Sequence, residues 1–472
     1  MNICIIGTGA SGWIACTMLK KLDFIKKITI IGSSKIPTIG VGESTTLNFV
    51  QWVLDGIELK DFVQETDATV KYGVYYNNWS KRNFIHYFTH EVDEKWENVI
   101  SLGNKDSETH IHELRGVKLW NFIQKNHVAL DKQNYNHAWH FDAGKFIKFL
   151  KKINLEDDRV SFIDDTIVDC KFLGDEIEFI VGEHNQKYTS DYFVNCCGNN
   201  DLNEKVFKEK YTSLSQYLLT NKAVVYPPEF KNKSDQFHPY TVAKTMKCGW
   251  RWIIPTQSRI GTGYVFSDRH ISIDEATNEF LNDIGDKSIN PSIVDFTPRY
   301  NERTFKTNSC TIGMSNAFLE PLDASGLSMS IDAINFLKSL LKLKYKDSET
   351  YSSAVEVTNN NQRFLAKLWS VFVLHQYKTN WRNDTQFWID HKNIEYDFYD
   401  RIWEMSFKKF SYDKTIFSFL YGFYLDAPGL FLSTSARDIQ WKSKIKEHPV
   451  PIELPDTETI HHLDYIQRFY ND

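Results

Sequence analysis

The chain has 472 residues, 42% hydrophobic and 15% aromatic, more than one core usually organises, so two modules or one large module with insertions are expected. Lys and Arg number 55 against 61 Asp and Glu, a net charge of −6, which excludes a basic footprint for nucleic acid or an anionic membrane. Seven cysteines without a C-x-x-C pair argue against a disulfide scaffold or structural zinc and for a reducing cytoplasm, and no apolar run approaches the roughly 20 residues of a membrane helix.

In chain order, the first predicted element is a short buried strand, Asn2 to Ile6, followed by Gly7, Gly9 and Gly12 in a G-x-G-x-x-G pattern and a helix from Trp13 to Lys20. Such glycines allow a tight turn, close approach of backbone to a pyrophosphate, and helix-to-strand packing, and the helix start attracts phosphate. Gly7, Gly9, Ala10, Ser11, Gly12 and Trp13 are therefore candidate dinucleotide-binding residues. The second strand, "KITIIGSS", places Gly32 where an acid should hold the adenosine ribose. Ser33 or Ser34 offers a weaker hydrogen bond there, and restoring the acid with Gly32→Glu is expected to tighten binding.

The loop "KIPTIGVGEST" is punctuated by Gly40 and Gly42, which permit close approach to a flat ligand. In "DATVKYGVYYNNW", strand alternation puts Lys71, Gly73 and Tyr75 on one face, and taken alone this reads as a solvent-facing lysine. "HFDAGKFIKFL" and "DYFVNCCG" give further helix and strand landmarks. The hexapeptide "WRWIIP" sets Trp250 and Trp252 on one strand face and turns Arg251 away. "FLEPLDASGL" then leads into the helix "LSMSIDAINFLKSLLK", whose start would point the N–H groups of Ser325 and Gly326 at an anion. Asp323 in that segment suits a helix N-terminus on charge alone. Beyond the polar stretch at 348–362 aromatic helical segments dominate, among them "QRFLAKLWSVFVLHQY" and "TIFSFLYGFYL". The expected organisation is an α/β module over 1–345, with inserted segments at about 46–138, and a mainly helical module over 346–472.

Over nearly the whole chain and in the same order, these segments resemble the flavin-dependent halogenases, especially the tryptophan-halogenase-like group. The resemblance implies an FAD-binding Rossmann-like module of the flavin monooxygenase type, with a helical substrate-binding module. It assigns Ile39, Gly40, Val41, Gly42, Glu43 and Ser44 to a strap over the flavin and adds Leu327 to the cofactor set. Lys71 becomes the catalytic lysine, Ser325 and Gly326 the halide site, and Trp250 and Trp252 a wall that separates the organic substrate from the flavin. Tryptophan halogenases resemble E-P-L-E-S-T-G where this chain has Glu320 to Gly326, so Asp323 stands, one methylene short, for the catalytic glutamate.

The implied reaction uses FADH2 and O2 to oxidise chloride, bromide or iodide to hypohalous acid at a flavin C4a-hydroperoxide. The acid then halogenates an electron-rich ring, such as an indole or phenol, at Lys71, through hydrogen bonding or a haloamine. With no second dinucleotide fingerprint, FADH2 is expected from a separate NAD(P)H-dependent flavin reductase; a homo-oligomer is compatible with the sequence. A flavin monooxygenase shares the fold but gives no reason for Lys71 together with the tryptophan pair. A degenerate flavin-binding protein would account for Gly32 and Asp323 as decay. The family's substrate-enclosing C-terminal residues find no match here, which points to an open pocket for varied aromatic compounds.

Overall fold

Ile3 and Ile5 lie in one hydrophobic core and Cys4 and Ile6 in another, so the first strand is covered on both faces. This is why its sequence is apolar throughout rather than alternating. In the computed structural model, which describes residues 1–36, 43–71, 73–79, 83–87, 128–130, 137–408 and 459–461, this strand is central to a five-stranded parallel sheet. Its order is Ser309–Thr311, Tyr192–Asn195, Asn2–Ile6, Lys27–Gly32, Val160–Asp164. One face is covered by the helices Ala10–Leu19, Ala143–Leu155 and Ser325–Lys346, which contribute Trp13, Ile14, Phe146, Leu150, Ile334 and Leu337 to the larger core. The other face meets the antiparallel strands Ile167–Leu173 and Glu176–Gly182. Parallel sheet, glycine turn and crossover helix form the expected Rossmann-like unit.

A second sheet of seven strands contains Gly73–Asn77, Thr241–Met246, Gly249–Pro255 and Ile260–Phe266 side by side. The last three form an antiparallel meander, and Thr241–Met246 pairs in parallel with Gly73–Asn77. Tyr76, Trp79, Trp250, Trp252 and Tyr264 fill its core together with Trp369, Tyr377 and Trp388. A small antiparallel sheet joins Glu43–Ser44, Ala138–Phe141 and Thr69–Lys71.

The helix Ser325–Lys346 starts where the two large cores meet: Met329 packs into the second, and Ile331 and Ile334 into the first. The chain turns at Asp347, whose carboxylate caps the next helix, Ser348–Lys378, by accepting from the N–H groups of Glu349 and Thr350. That helix places Tyr351 and Val355 in the first core and Trp369, Val373 and Tyr377 in the second. Strap residues Ile39, Gly40, Val41 and Gly42, most of the insertion and the segment "TIFSFLYGFYL" lie outside the described residues.

Candidate active site

The glycine loop is built by backbone crowding. A Cβ at Gly7, where φ is +111°, would lie 2.3 Å from the carbonyl oxygen of Cys196, and one at Gly12 would lie 2.1 Å from that of Gly7. Gly9 differs, since a Cβ there would meet nothing within 4 Å. Gly7 and Gly12 are thus needed by the fold, while Gly9 borders open space at the start of a helix that has no side-chain cap. The first-turn N–H groups of Ala10 and Ser11 have no preceding helical carbonyl to bond and suit a pyrophosphate. This cradle fits the dinucleotide part of FAD.

The Trp13 indole is fully buried against Phe162, and the backbone N–H of Trp13 donates to the Gly9 carbonyl at 3.2 Å. A glycine that the motif did not mark completes the loop: at Gly313, φ is +73° and a Cβ would lie 2.3 Å from Ser11 Oγ. Of the strap, Glu43 pairs with Phe141 through the backbone, and Ser44 Oγ lies 3.1 Å from Thr241 Oγ1. Leu327 is half-buried near the start of the Ser325 helix.

Gly32 reverses the expectation for an added acid. A Cβ there would lie 2.5 Å from Thr8 Cγ2 and 2.6 Å from Thr8 Oγ1, inside the glycine loop itself. The sequence has glycine at this point because two adjacent turns are packed together. Gly32 aligns with Asp164 on the neighbouring strand, whose exposed carboxylate accepts from Ser34 N–H at 2.8 Å; the Ser34 side chain, with this N–H, holds the Asp164 carboxyl below its usual range. Ser33 Oγ accepts from Lys35 N–H at 3.3 Å. Overpacking costs roughly 1–3 kcal/mol, so Gly32→Glu is expected to weaken FAD binding by about tenfold. Flavin fluorescence titration measures this, and tighter binding would contradict it.

Lys71 ends its strand fully buried, with Nζ donating to the Thr45 carbonyl at 2.8 Å. A buried lysine is uncommon because the ammonium must be desolvated. Thr45 follows the strap directly and is fixed by Trp139: its hydroxyl donates to the Trp139 carbonyl and accepts from the Trp139 N–H, both at 2.9 Å. Thr69, two residues before the lysine, donates to the Pro255 carbonyl at 2.6 Å. The lysine is thereby tied to the end of the strap on one side and to the double-tryptophan strand on the other.

Trp250 and Trp252 share a face as expected, with ring centroids 6.2 Å apart and planes at 59°. Arg251 points away, donating to Asp283 at 2.7 Å and to Thr262 at 2.9 Å. The neighbouring strand makes room through Gly263, where a Cβ would lie 2.2 Å from the Trp252 ring. Trp250 Nε1 donates to Glu320 at 3.2 Å.

Glu320, to which the sequence pattern attached no role, is fully buried and also accepts from Thr220 Oγ1 at 2.6 Å and from Tyr377 Oη at 2.9 Å. Burial pushes its carboxyl up to about 7, against the opposing effect of these donors. The folded state therefore holds this proton while the unfolded chain releases it near 4.5. Its contribution to stability is complete below about pH 4.5 and declines until about pH 7, by on the order of 3 kcal/mol. Glu320→Gln is expected to flatten that decline, seen as a variant-minus-wild-type difference in denaturation midpoint that grows from pH 4.5 to pH 7. A constant difference would contradict it.

Glu320 opens the turn that carries the remaining candidates. Asp323 (φ 55°, ψ 24°) and Ala324 (φ 58°, ψ 30°) are both left-handed, an arrangement that is costly for residues with a Cβ and concentrated at functional sites. Ser325 returns to right-handed geometry and begins the long helix. The Ala324 N–H donates to the Pro321 carbonyl at 3.2 Å, and the first-turn N–H groups of Ser325 and Gly326 form the positive end of the long helix. Ser325 Oγ donates to the Glu320 carbonyl at 3.1 Å. The N-cap position belongs to Ala324, not Asp323; the Asp323 carboxylate accepts a hydrogen bond from Tyr76 Oη.

The structure thus brings Trp250 to Glu320, Tyr76 to Asp323 and Lys71 to the strap. An open cleft of about 870 Å³, lined by residues including Met246, His270, Glu279 and Arg382, contains none of the candidates. Tyr76 and Gly313 were missed because their partners are distant in sequence. A glycine after the "SCTI" strand is a local signal that could have marked Gly313.

The tryptophan halogenase family model matches residues 2–417. The chain is 27% identical over 429 residues to the tryptophan 6-halogenase ThaL of Streptomyces albogriseolus, covering 84% of this chain and 79% of that enzyme. It is 29% identical over 360 residues to the tryptophan 7-halogenase RebH of Lentzea aerocolonigenes, covering 69% and 67% respectively. Its fold is similar to that of Xcc4156, a flavin-dependent halogenase from Xanthomonas campestris, with a TM-score of 0.76 at 24% identity over 86% of this chain and 83% of the other. No described helix is long and apolar enough to cross a membrane. The chain belongs to the tryptophan halogenase family, enzymes that use FAD in its reduced form to halogenate aromatic substrates.

Proposed function

We propose that this enzyme halogenates electron-rich aromatic rings, indoles and phenols among them, in a site separated from the flavin, with Lys71 and Asp323 as the reacting protein groups. The observation that carries this reading is the turn from Glu320 to Gly326, in which a buried carboxylate and an open helix N-terminus are held six residues apart or less. Gly7, Gly9, Ala10, Ser11 and Gly12 would hold FAD, together with Leu327 and the strap. When bound, reduced FAD with O2 supplies the oxidising power that converts halide to hypohalous acid.

The chain's own residues do the rest. Ser325 and Gly326 N–H groups hold the halide through backbone charge alone, which discriminates weakly by size and leaves chloride, bromide and iodide as candidates. Trp250 and Trp252 form a rigid wall that excludes an organic ring, and Glu320 fixes the orientation of the first indole. Lys71 holds the oxidised halogen by donating a hydrogen bond to its oxygen or by forming a haloamine. In the hydrogen-bonded case, halogen transfers to a ring carbon as its bond to oxygen breaks, the leaving hydroxide takes a proton from Lys71 to depart as water, and the displaced ring proton passes to Asp323, from which it returns through solvent to Lys71.

FADH2 would come from a separate NAD(P)H-dependent flavin reductase. The helical segment from 346 onward would form the substrate side, and the seven free cysteines fit a reducing cytoplasm. Supplying the enzyme with such a reductase, each halide and a panel of indoles and phenols tests the breadth of this reading by mass spectrometry. Conversion of several simple rings is expected; a sharp preference for free tryptophan would contradict the open pocket.

A further inference from the structure

We propose that Tyr76 is the positioning residue for Asp323, its phenol holding the carboxylate in the left-handed turn so that it faces the reacting ring. This inference rests on the proposed role of Asp323. Tyr76 is fully buried on the Gly73–Asn77 strand, and its hydroxyl donates to Asp323 Oδ2 across 247 residues of sequence. Its ring lies edge-on to Trp79, with centroids 5.4 Å apart and planes at 79°. Trp79 is fixed in turn by a 3.0 Å bond from Nε1 to the Ala243 carbonyl and by edge-on contact with Trp388.

Such a phenol has little freedom, and the carboxylate it holds sits on a left-handed backbone position. A charge-assisted bond from a rigid donor selects one rotamer and one direction for the acid. Lys71 and Tyr76 stand five residues apart, on the Thr69–Lys71 and Gly73–Asn77 strands. One stretch of chain therefore places the lysine directly and the carboxylate through the phenol.

The test is a double-mutant cycle of Tyr76→Phe and Asp323→Asn, with kcat and KM measured for bromination of indole using bromide, FAD, NADH and a flavin reductase. Circular dichroism and flavin affinity check the fold of each variant. Tyr76→Phe should lower kcat by about tenfold, the scale of a hydrogen bond to a charged group, and leave KM for indole within twofold. In the Asp323→Asn background the same change should cost less than about twofold, because the group it positions is no longer a base. A similar loss in both backgrounds, or a wild-type-like kcat for Tyr76→Phe, would overturn the inference while leaving the role of Asp323 intact. If Asp323→Asn alone brominates normally, the role of Asp323 fails first and this inference falls with it.

Discussion

Lys71→Met should reduce halogenated product by at least about 10²-fold, the contribution expected of a positioned catalytic group, while oxidised halide continues to form. The lysine acts after halide oxidation, so a soluble dimedone trap should capture the halogen that no longer reaches the ring. Methionine suits the test because it keeps an unbranched apolar stem in a fully buried site. The substitution removes the donor to the Thr45 carbonyl, at a cost of about 1–3 kcal/mol if that oxygen finds no other partner. Flavin affinity and circular dichroism must therefore accompany the assay, since Thr45 adjoins the strap. Near-normal product formation by a folded variant would remove Lys71 from the chemistry.

Asp323→Asn should lower turnover by a similar factor of at least about 10², with flavin and halide binding nearly unchanged. Asparagine tolerates left-handed backbone as aspartate does, and its amide oxygen can accept the Tyr76 hydrogen bond, so only charge and basicity are lost. Product formation under saturating ring substrate, together with halide titration, gives the two readouts. Asp323→Glu, for which side-chain length alone left either outcome open, is expected to lose activity. Glutamate is less at ease at positive φ, and its extra methylene must be accommodated where the Tyr76 hydroxyl stands. An Asn variant that halogenates normally would return the aspartate to a supporting role at the turn.

Local signals in the sequence located the elements that depend on local chemistry. The Asn2–Ile6 strand and glycine turn follow from an apolar run broken by glycines, and the shared face of Trp250 and Trp252 follows from the period of a strand. The start of the helix at Ser325 was legible in the same way. Tertiary packing decided the rest. Lys71 looked solvent-facing because strand alternation distinguishes two faces but not which is covered, and its cover comes from the segment around Thr45 and Trp139. Gly32 looked like a lost acid, yet the constraint is the side chain of Thr8 against its α-carbon. Tyr76 and Asp323 meet through a fold that joins separate sheets, and no local period encodes that meeting. Glu320 stood in a recognised motif, but its three donors come from Thr220, Trp250 and Tyr377, so its buried hydrogen-bond network became visible only in three dimensions.

The most direct measurement is the mass of the product formed from indole by the purified enzyme with FAD, NADH, a flavin reductase and bromide, alongside a reaction without halide. The account predicts a product in which bromine replaces one ring hydrogen, formed only when bromide is present. A hydroxylated indole formed with or without bromide, or no oxidised product while FAD remains bound, would contradict it.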